Sequence, residues 1–143
     1  MAVSEYTNYP FTSFCYFNGV YLGCKSDGIF TLDADTDNGT DITMALQKTK
    51  MDLKSSMIKR ATDVYFTITS DGEYLFKMIA DDLSHTYHIR NGYTGLRNEK
   101  VDLGKGLKGK WLGFRFENVR GSTITLNDLV LLVEILARRI RNV

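Results

Sequence analysis

The stretch Val64–Ala80, VYFTITS-DG-EYLFKMIA, decides the fold class, because it consists of two extended segments joined by a two-residue turn. β-Branched and aromatic residues dominate both segments, as is typical of strands. Asp-Gly supplies the positive φ angles of a type I′ turn, so the stretch predicts a β-hairpin in which Ser70 pairs with Glu73. In that register Phe66 and Phe76 lie on opposite faces, and both faces carry apolar side chains. We therefore expect this hairpin to lie centrally in the fold.

Similar turn dipeptides divide the rest of the chain at short intervals. They are Asn18-Gly19, Asp27-Gly28, Asn38-Gly39 and Asn91-Gly92. Such dipeptides between apolar runs predict antiparallel strands joined by tight turns. The sequence therefore indicates an all-β fold, an antiparallel β-sandwich of jelly-roll type. We expect a polar N-terminal arm over residues 1–10 and a single sandwich domain over residues 11–143.

The first predicted hairpin, FCYF-NG-VYLGC, contains both cysteines of the chain. Pairing through the Asn18-Gly19 turn sets Phe17 against Val20 and leaves Cys24 diagonal to Cys15. That separation favours free thiols, and so does an N-terminus without the basic and apolar runs of a signal peptide. A turn that started one residue later would instead set the two cysteines directly opposite each other.

For two segments, the sequence is compatible with either a helix or a strand. ITMALQKTKMDL, residues 42–53, has no turn residue and predicts either a short helix within residues 42–56 or a strand at the edge of the sheet. In TITLNDLVLLVEILARRI, residues 123–140, Leu129, Leu132 and Leu136 fit one helical face. The same segment also alternates as a strand buried on both sides would. Periodicity alone does not decide between the two.

The acidic stretch DADTDNG, residues 33–39, resembles the start of a calcium loop. An EF-hand loop needs glycine at its sixth position and glutamate at its twelfth, and here those positions hold Asn38 and Met44. The pattern therefore favours a polar turn whose carboxylates accept backbone N–H bonds, and we expect no cofactor. The residues that would hold a Ca²⁺ ion, if the turn bound one, are Asp33, Asp35 and Asp37.

The string GKGLKG, residues 104–109, matches the GxGxxG pattern of dinucleotide-binding loops. That site needs a parallel strand before the loop and a helix after it, whereas the aromatic strand pattern KWLGFRFEN follows here. We interpret the segment as a basic loop that is either solvated or in electrostatic contact with an acidic neighbour, and we expect the arginines near the C-terminus to pair with acidic neighbours as well. The basic residues expected at interfaces are Lys105, Lys108, Lys110, Arg138, Arg139 and Arg141.

Composition and motifs provide no indication of catalysis. The formal net charge of +1 gives no global field for nucleic acid or membranes, and no apolar run reaches transmembrane length. His85 and His88 are three apart, a spacing that sends them to opposite faces of a strand and prevents joint metal ligation. No nucleophile motif or acid/base pair is present, so we expect a protein that is not an enzyme.

Aromatic residues in the predicted strands raise an alternative function. In a β-sandwich, aromatic side chains can form a platform on which sugars stack, although core packing is their commoner role. A carbohydrate-binding module for host-surface glycans, with the DADTDNG loop as its ion site, is therefore the second hypothesis. The candidate platform residues are Tyr16, Phe17, Tyr21, Trp111, Phe114 and Phe116.

Two long stretches resemble small virion proteins of tailed bacteriophages. They are YLGCKSDGIFTLDADTDNGTDI, residues 21–42, and GKGLKGKWLGFRFENVRGSTITLNDLVLLVEILARRI, residues 104–140. The shared pattern is a YLG…DGIF strand that runs into an acidic DTD-x-G turn, followed later by a basic loop, an aromatic strand, an N-x-x-G turn and a last apolar strand ending in paired arginines. The resemblance covers about half of the chain.

The resemblance implies a β-sandwich structural subunit of the phage neck, tail or baseplate, made in the host cytoplasm and assembled into the virion as a homo-oligomeric ring. Its partners would be other neck, tail or baseplate proteins. It favours a strand for the C-terminal segment, although family members often carry a proline there, where this chain has Val133-Glu134. It brings no catalytic or cofactor residue onto this sequence.

Overall fold

A computed structural model of the chain describes residues 10–32, 36–37, 39–90, 94–104 and 106–136. Within these residues there are thirteen strands and no helix, and every strand pair is antiparallel, which confirms the all-β prediction. Internal contacts divide the chain into two units, residues 1–42 and residues 43–143. The expectation of one domain over residues 11–143 stays a prediction, and residues 1–9 of the predicted arm lie outside the described residues.

Unit 1 contains a three-stranded sheet and a short two-stranded ladder. Its strands are β1 (Ser13–Phe17), β2 (Val20–Lys25), β3 (Gly28–Thr31), β4 (Thr36–Asp37) and β5 (Thr40–Asp41). The sheet order is β1-β2-β3, and β4 pairs with β5. In the described part of the acidic stretch, Asp37 pairs with Thr40 and Gly39 has a φ of +81°, as a turn requires. The backbone bonds predicted for its carboxylates stay a prediction.

The register of the first hairpin is the predicted one. Asn18 and Gly19 have φ angles of +48° and +83°, and Phe17 pairs with Val20 across them. Cys15 therefore pairs with Leu22 rather than with Cys24, and both cysteines are free.

Unit 2 is a sandwich of two antiparallel sheets. Its strands are β6 (Ala45–Met51), β7 (Lys59–Ser70), β8 (Tyr74–Ala80), β9 (Leu83–Ile89), β10 (Gly95–Asp102), β11 (Lys108–Gly109), β12 (Leu112–Asn118) and β13 (Ile124–Ile135). One sheet has the order β6-β12-β8-β9. In the other sheet β10 and β11 pair with one edge of β7, and β13 runs along its other edge.

The predicted hairpin between β7 and β8 is wrong, because the two strands belong to different sheets. Asp71-Gly72 is an arch between the layers rather than a type I′ turn, and neither residue has a positive φ. Ser70 Oγ donates to the Gly72 carbonyl oxygen at 2.8 Å and fixes the arch. The arch turns the apolar faces of β7 and β8 toward each other, with the rings of Phe66 and Phe76 5.8 Å apart. A hairpin would have left those faces on opposite sides of one sheet.

The core of unit 2 lies between the sheets. Alternate residues of β8 are buried along its whole length, and β7 alternates in the same way from Val64 to Ser70. Rings cluster around Phe116 of β12, which lies 5.1 Å from the ring of Phe66 and 5.0 Å from that of Phe76. The buried apolar residues are Ala61, Val64, Phe66, Ile68, Tyr74, Phe76, Met78, Ala80, Leu103, Leu107, Leu112 and Phe116.

Both ambiguous segments form strands where the structure describes them, which rules out the helix considered for residues 42–56; residues 137–140 of the second segment lie outside the described residues. Residues 45–51 form β6, which continues the ladder beyond β12 and provides partners that a helix could not give to the β12 backbone. Residues 124–135 form β13, paired with β7 along its length and interrupted by two irregularities in register. Sheet pairing therefore overrides local periodicity in both segments.

Candidate assembly surfaces

One face of the unit 1 sheet is aromatic. Strand alternation places Phe14, Tyr16, Tyr21 and Phe30 on the same side, and we call these residues together with Phe11 the aromatic face. The rings of Tyr16 and Tyr21 lie 4.7 Å apart across the strands. Phe11 lies 5.9 Å from the ring of Phe14 and 5.9 Å from that of Phe30.

A glycine makes this arrangement possible. A Cβ placed on Gly23 would lie 2.7 Å from the ring of Phe11 and 3.0 Å from the side chain of Leu32. The Phe11 ring therefore lies directly over the β2 backbone, where any side chain would displace it. Gly23 is the one buried residue among those of unit 1 that the structure describes.

The opposite face of the same sheet is also apolar. Cys15, Phe17, Val20 and Ile29 share it, and we call it the cysteine face. Phe17 is 71% exposed and Ile29 is 70% exposed, and on the aromatic face Tyr16 reaches 64%. A sheet of three strands needs a covered hydrophobic face for stability, and this one presents apolar side chains on both faces.

Unit 2 carries a second apolar surface, on the outer side of β7 and β13. Val130 pairs directly with Tyr65, and Leu132 follows on the same side. These three side chains are between 41% and 49% exposed. We call them the outer apolar strip.

The strip borders a free strand edge. In the described part of the chain, β13 pairs with β7 alone, so its other edge presents unpaired backbone groups over a strand of twelve residues. The strand contains no lysine, arginine or proline, and its protection is limited to Asp128, Glu134 and two irregularities in register. Strand β6, an edge of the other sheet, does carry Lys48 and Lys50. The β13 edge therefore lacks the lysines that β6 carries.

A rigid corner holds two of the predicted interface lysines. The carboxylate of Asp81 accepts the backbone N–H of Trp111 at 2.9 Å and that of Lys110 at 3.0 Å. These two bonds hold the pKa of Asp81 below its usual value. Gly109 permits the approach, because a Cβ there would lie 2.9 Å from the Asp81 carboxyl group.

A buried lysine fixes the same corner from the interior. Lys59 is 1% exposed, and its ammonium group donates to the carbonyl oxygen of Lys110 at 2.7 Å. It also donates to the carbonyl oxygens of Ser55 and Met57, so all three of its hydrogens are used. The exposed side chains of Lys108 and Lys110 therefore extend from a backbone that is bonded on two sides.

The other predicted site residues are described only in part. Six of the predicted site residues lie outside the described residues: Lys105, Arg138, Arg139, Arg141, Asp33 and Asp35. The side chain of Asp37 is not described either. Within the ranges that are described, no group of three or more His, Cys, Asp or Glu side chains could hold a metal ion. His85 and His88 lie on opposite faces of β9, as predicted, and His88 Nε2 is 2.9 Å from Glu73 Oε2.

The six aromatic residues considered for a sugar platform do not share one surface. Phe116 is fully buried and Phe114 packs against the core of unit 2. Tyr16, Phe17 and Tyr21 are exposed on unit 1, and Tyr16 and Tyr21 share one face while Phe17 lies on the other.

Sequence reasoning missed several surface residues. Phe14 and Ile29 complete the two apolar faces of unit 1, and Tyr65 and Val130 complete the outer apolar strip. Apolar residues at both odd and even positions of one short hairpin were the available signal for unit 1. No local pattern marked Lys59, whose partners lie in two loops far apart in the sequence.

Comparison of the chain with protein-family models, with curated proteins and with solved structures found no match. No helix able to span a membrane occurs in the part of the chain that the structure describes.

Proposed function

We propose that the protein is a non-enzymatic structural subunit of a tailed-phage virion, placed in the neck, tail or baseplate. In this proposal it assembles as a ring through protein–protein contacts and joins other virion components. The sequence resemblance supports the phage assignment. The all-β architecture is compatible with it.

One observation carries the assembly part of the proposal: the unit 1 sheet exposes apolar side chains on both faces. Exposed apolar patches of this kind mark contact surfaces on soluble proteins. Covering Tyr16 and Tyr21 on one face and Phe17 and Ile29 on the other would remove large apolar areas from water. Copies of the chain or neighbouring virion proteins are the partners that would cover them.

The β13 edge supports the same proposal from unit 2. A strand with unpaired backbone groups and no protecting lysine favours pairing with a strand of another chain. The outer apolar strip lies beside that edge and would extend the contact. Repeated pairing of one copy with the next closes a ring when the rotation between copies divides a full turn.

The first test measures the association state of the purified chain. Light scattering and negative-stain microscopy over a range of concentrations provide the measurement. We expect oligomers or rings, and we expect a Tyr16→Ser, Tyr21→Ser double variant to dissociate them. Thr31→Ser is the matched control, because it changes an exposed residue of the same sheet and removes only one methyl group.

Assembly alone does not identify a virion protein, so the second test is genomic and biochemical. Genes for portal, terminase or tail proteins beside this gene, and the chain itself in purified particles, are the expected findings. A strict monomer that joins no particle component would contradict the proposal.

The exposed tyrosine pair supports a second candidate function, carbohydrate binding. Tyr16 and Tyr21 present two adjacent rings, the kind of surface on which sugars stack. A glycan array would show specific binding that the Tyr16→Ser, Tyr21→Ser variant loses. No glycan bound, together with no rise in melting temperature in calcium, would remove the carbohydrate-binding hypothesis.

A further inference from the structure

Two edge strands of unit 2 carry opposite charges. Strand β13 contains Asp128 and Glu134 and no lysine or arginine, whereas β6 contains Lys48 and Lys50 and no aspartate or glutamate. In the described part of the chain, β6 pairs with β12 alone and β13 with β7 alone, so each strand keeps an open edge. Asp128 and Lys48 form no ion pair with any described residue. The chain therefore presents an acidic edge and a basic edge that suit each other.

The apolar side chains of the two strands are arranged in a complementary order. On β13, Asp128 lies on the same side as the outer apolar strip and precedes it along the chain. On β6, the apolar residues Met44 and Leu46 come first and Lys48 follows. Leu46 is 46% exposed and Met44 is 36% exposed. Because an antiparallel pairing reverses one of the two orders, it sets acid against base and apolar against apolar.

We propose that β13 of one copy pairs antiparallel with β6 of a second copy. This inference rests on the assembly proposed above and names the strands that form its contact. Side chains directly opposite each other in such a pair have their Cβ atoms about 5 Å apart, so their chemistry determines the register. The proposed register has three such pairs: Asp128 with Lys48, Val130 with Leu46, and Leu132 with Met44.

The backbone of β6 is oriented for this contact. Asn118 donates its backbone N–H to the carbonyl oxygen of Met44 at 3.1 Å, which directs Met44 toward β12. In an antiparallel ladder, residues bonded to one neighbouring strand alternate with residues whose backbone groups face the other side. Ala45 and Gln47 therefore direct their N–H and C=O groups toward the open edge, where they supply the bonds of the new ladder.

Pairing of two β13 strands suits the charges less well. The register that sets Val130 opposite Leu132 of a second copy also sets Asp128 opposite Glu134, and like charges directly opposite each other are destabilising. The contact between β13 and β6 avoids this repulsion. It also uses a different strand from each copy, so an open edge remains for a further neighbour. A contact of this heterologous type builds a ring when the rotation between copies closes.

The first experiment is cysteine cross-linking of the full chain in a Cys15→Ser, Cys24→Ser background. A Val130→Cys chain is mixed with a Leu46→Cys chain and oxidised, and the linked peptides are identified by mass spectrometry. We expect the mixed disulfide, because Cβ atoms of directly opposite residues are close enough to be bridged. Leu83→Cys replaces Leu46→Cys in the matched control, since Leu83 is an exposed leucine of β9, the other edge strand of the same sheet.

The second experiment exchanges the charges of the central pair. We expect Asp128→Lys and Lys48→Asp each to weaken association about fivefold, and the chain with both changes to recover most of the loss. Lys54→Asp is the matched control, because it makes the same charge change in an exposed turn. Sedimentation velocity measures the dissociation constants, and Trp111 fluorescence verifies that each variant is folded.

The outcomes separate this inference from the proposed assembly. Oligomers that lack the mixed disulfide, or whose association is indifferent to charge exchange, would overturn the β13–β6 contact and leave the proposed assembly standing. The same conclusion follows if the Leu83→Cys control cross-links equally well. Val130→Cys chains that cross-link with each other would assign β13 to self-pairing. A chain that stays monomeric at every concentration and forms no disulfide would overturn both proposals.

Discussion

The two units of the chain use apolar residues in different ways. In unit 2, β7 and β8 bury alternate residues, and the apolar faces of the two sheets meet. In unit 1, β1 has no buried residue, and apolar side chains occupy both of its faces. Aromatic and β-branched residues occur in the strands of both units, so propensity alone does not explain the contrast. In unit 2 a second sheet covers the first, whereas the described residues of unit 1 leave apolar side chains exposed on both faces of their three-stranded sheet.

This contrast separates stability from assembly. Apolar area contributes to folding only when folding removes it from water. Residues of the unit 2 core should therefore determine the free energy of unfolding, and residues of the unit 1 faces should determine association. The single tryptophan, Trp111, lies in unit 2, so its fluorescence reports the unfolding of that unit.

The largest effect on unfolding is expected from Phe116→Ala. Phe116 is fully buried among the rings of Phe66 and Phe76, and its truncation leaves a cavity that costs about 3–5 kcal/mol. Urea denaturation followed by Trp111 fluorescence measures this loss. Phe17→Ala is the matched control, because it removes the same atoms from an exposed site in unit 1. We expect it to change the free energy of unfolding by less than about 1 kcal/mol. Equal losses in both variants would break the contrast.

A smaller loss in the free energy of unfolding is expected from Lys59→Met. This variant tests the corner that the Lys59 ammonium group and the Asp81 carboxylate hold together. The substitution keeps an unbranched side chain but leaves the carbonyl oxygens of Ser55, Met57 and Lys110 without their donor. We expect a cost of about 1–3 kcal/mol in the same urea experiment. Lys54→Met changes an exposed lysine in the preceding turn and should be neutral. A neutral Lys59→Met variant would show that water replaces the ammonium group.

The next effect is pH-dependent and comes from Asp81→Asn. The folded-state pKa of Asp81 is lowered by the N–H groups of Trp111 and Lys110, so its contribution is fully present above the unfolded-state pKa of about 3.9. The contribution is lost as pH falls through the lowered folded-state value. We expect the variant to be less stable by about 1–2 kcal/mol at pH 7, and the difference to shrink below about pH 4. Urea curves at several pH values measure it, and a constant difference down to pH 2 would contradict this cause.

Much of the fold could be predicted from the sequence, and the exception has a physical reason. Asn18-Gly19 determined the register of the first hairpin correctly, since its turn geometry is local. Asp71-Gly72 predicted a hairpin where an arch between sheets occurs. The hairpin register placed Phe66 and Phe76 on opposite faces, and this mismatch was the available signal against it. Which sheet a strand joins depends on distant partners that local periodicity does not encode.

The candidate surfaces were less predictable than the fold. Lys108 and Lys110 were expected at an interface, and they are exposed on a rigid corner, although the interface itself stays a prediction. Exposure is a property of the folded chain, and the order of residues does not show it.

The smallest effect on unfolding is expected from Gly23→Ala, which sharpens the contrast within unit 1. The new Cβ would lie 2.7 Å from the Phe11 ring and displace it from the aromatic face. We expect the free energy of unfolding of unit 2 to change by less than about 0.5 kcal/mol. We also expect the NMR chemical-shift changes to be confined to residues 11–32. Gly28→Ala is the matched control in the same sheet, because its Cβ would meet the Phe30 ring at an ordinary 3.5 Å. Equal shift changes in the two variants would contradict the close approach of Phe11 to the β2 backbone. If Gly23→Ala also weakens association while Gly28→Ala does not, the arrangement of the aromatic face, and not merely its apolar area, determines the contact.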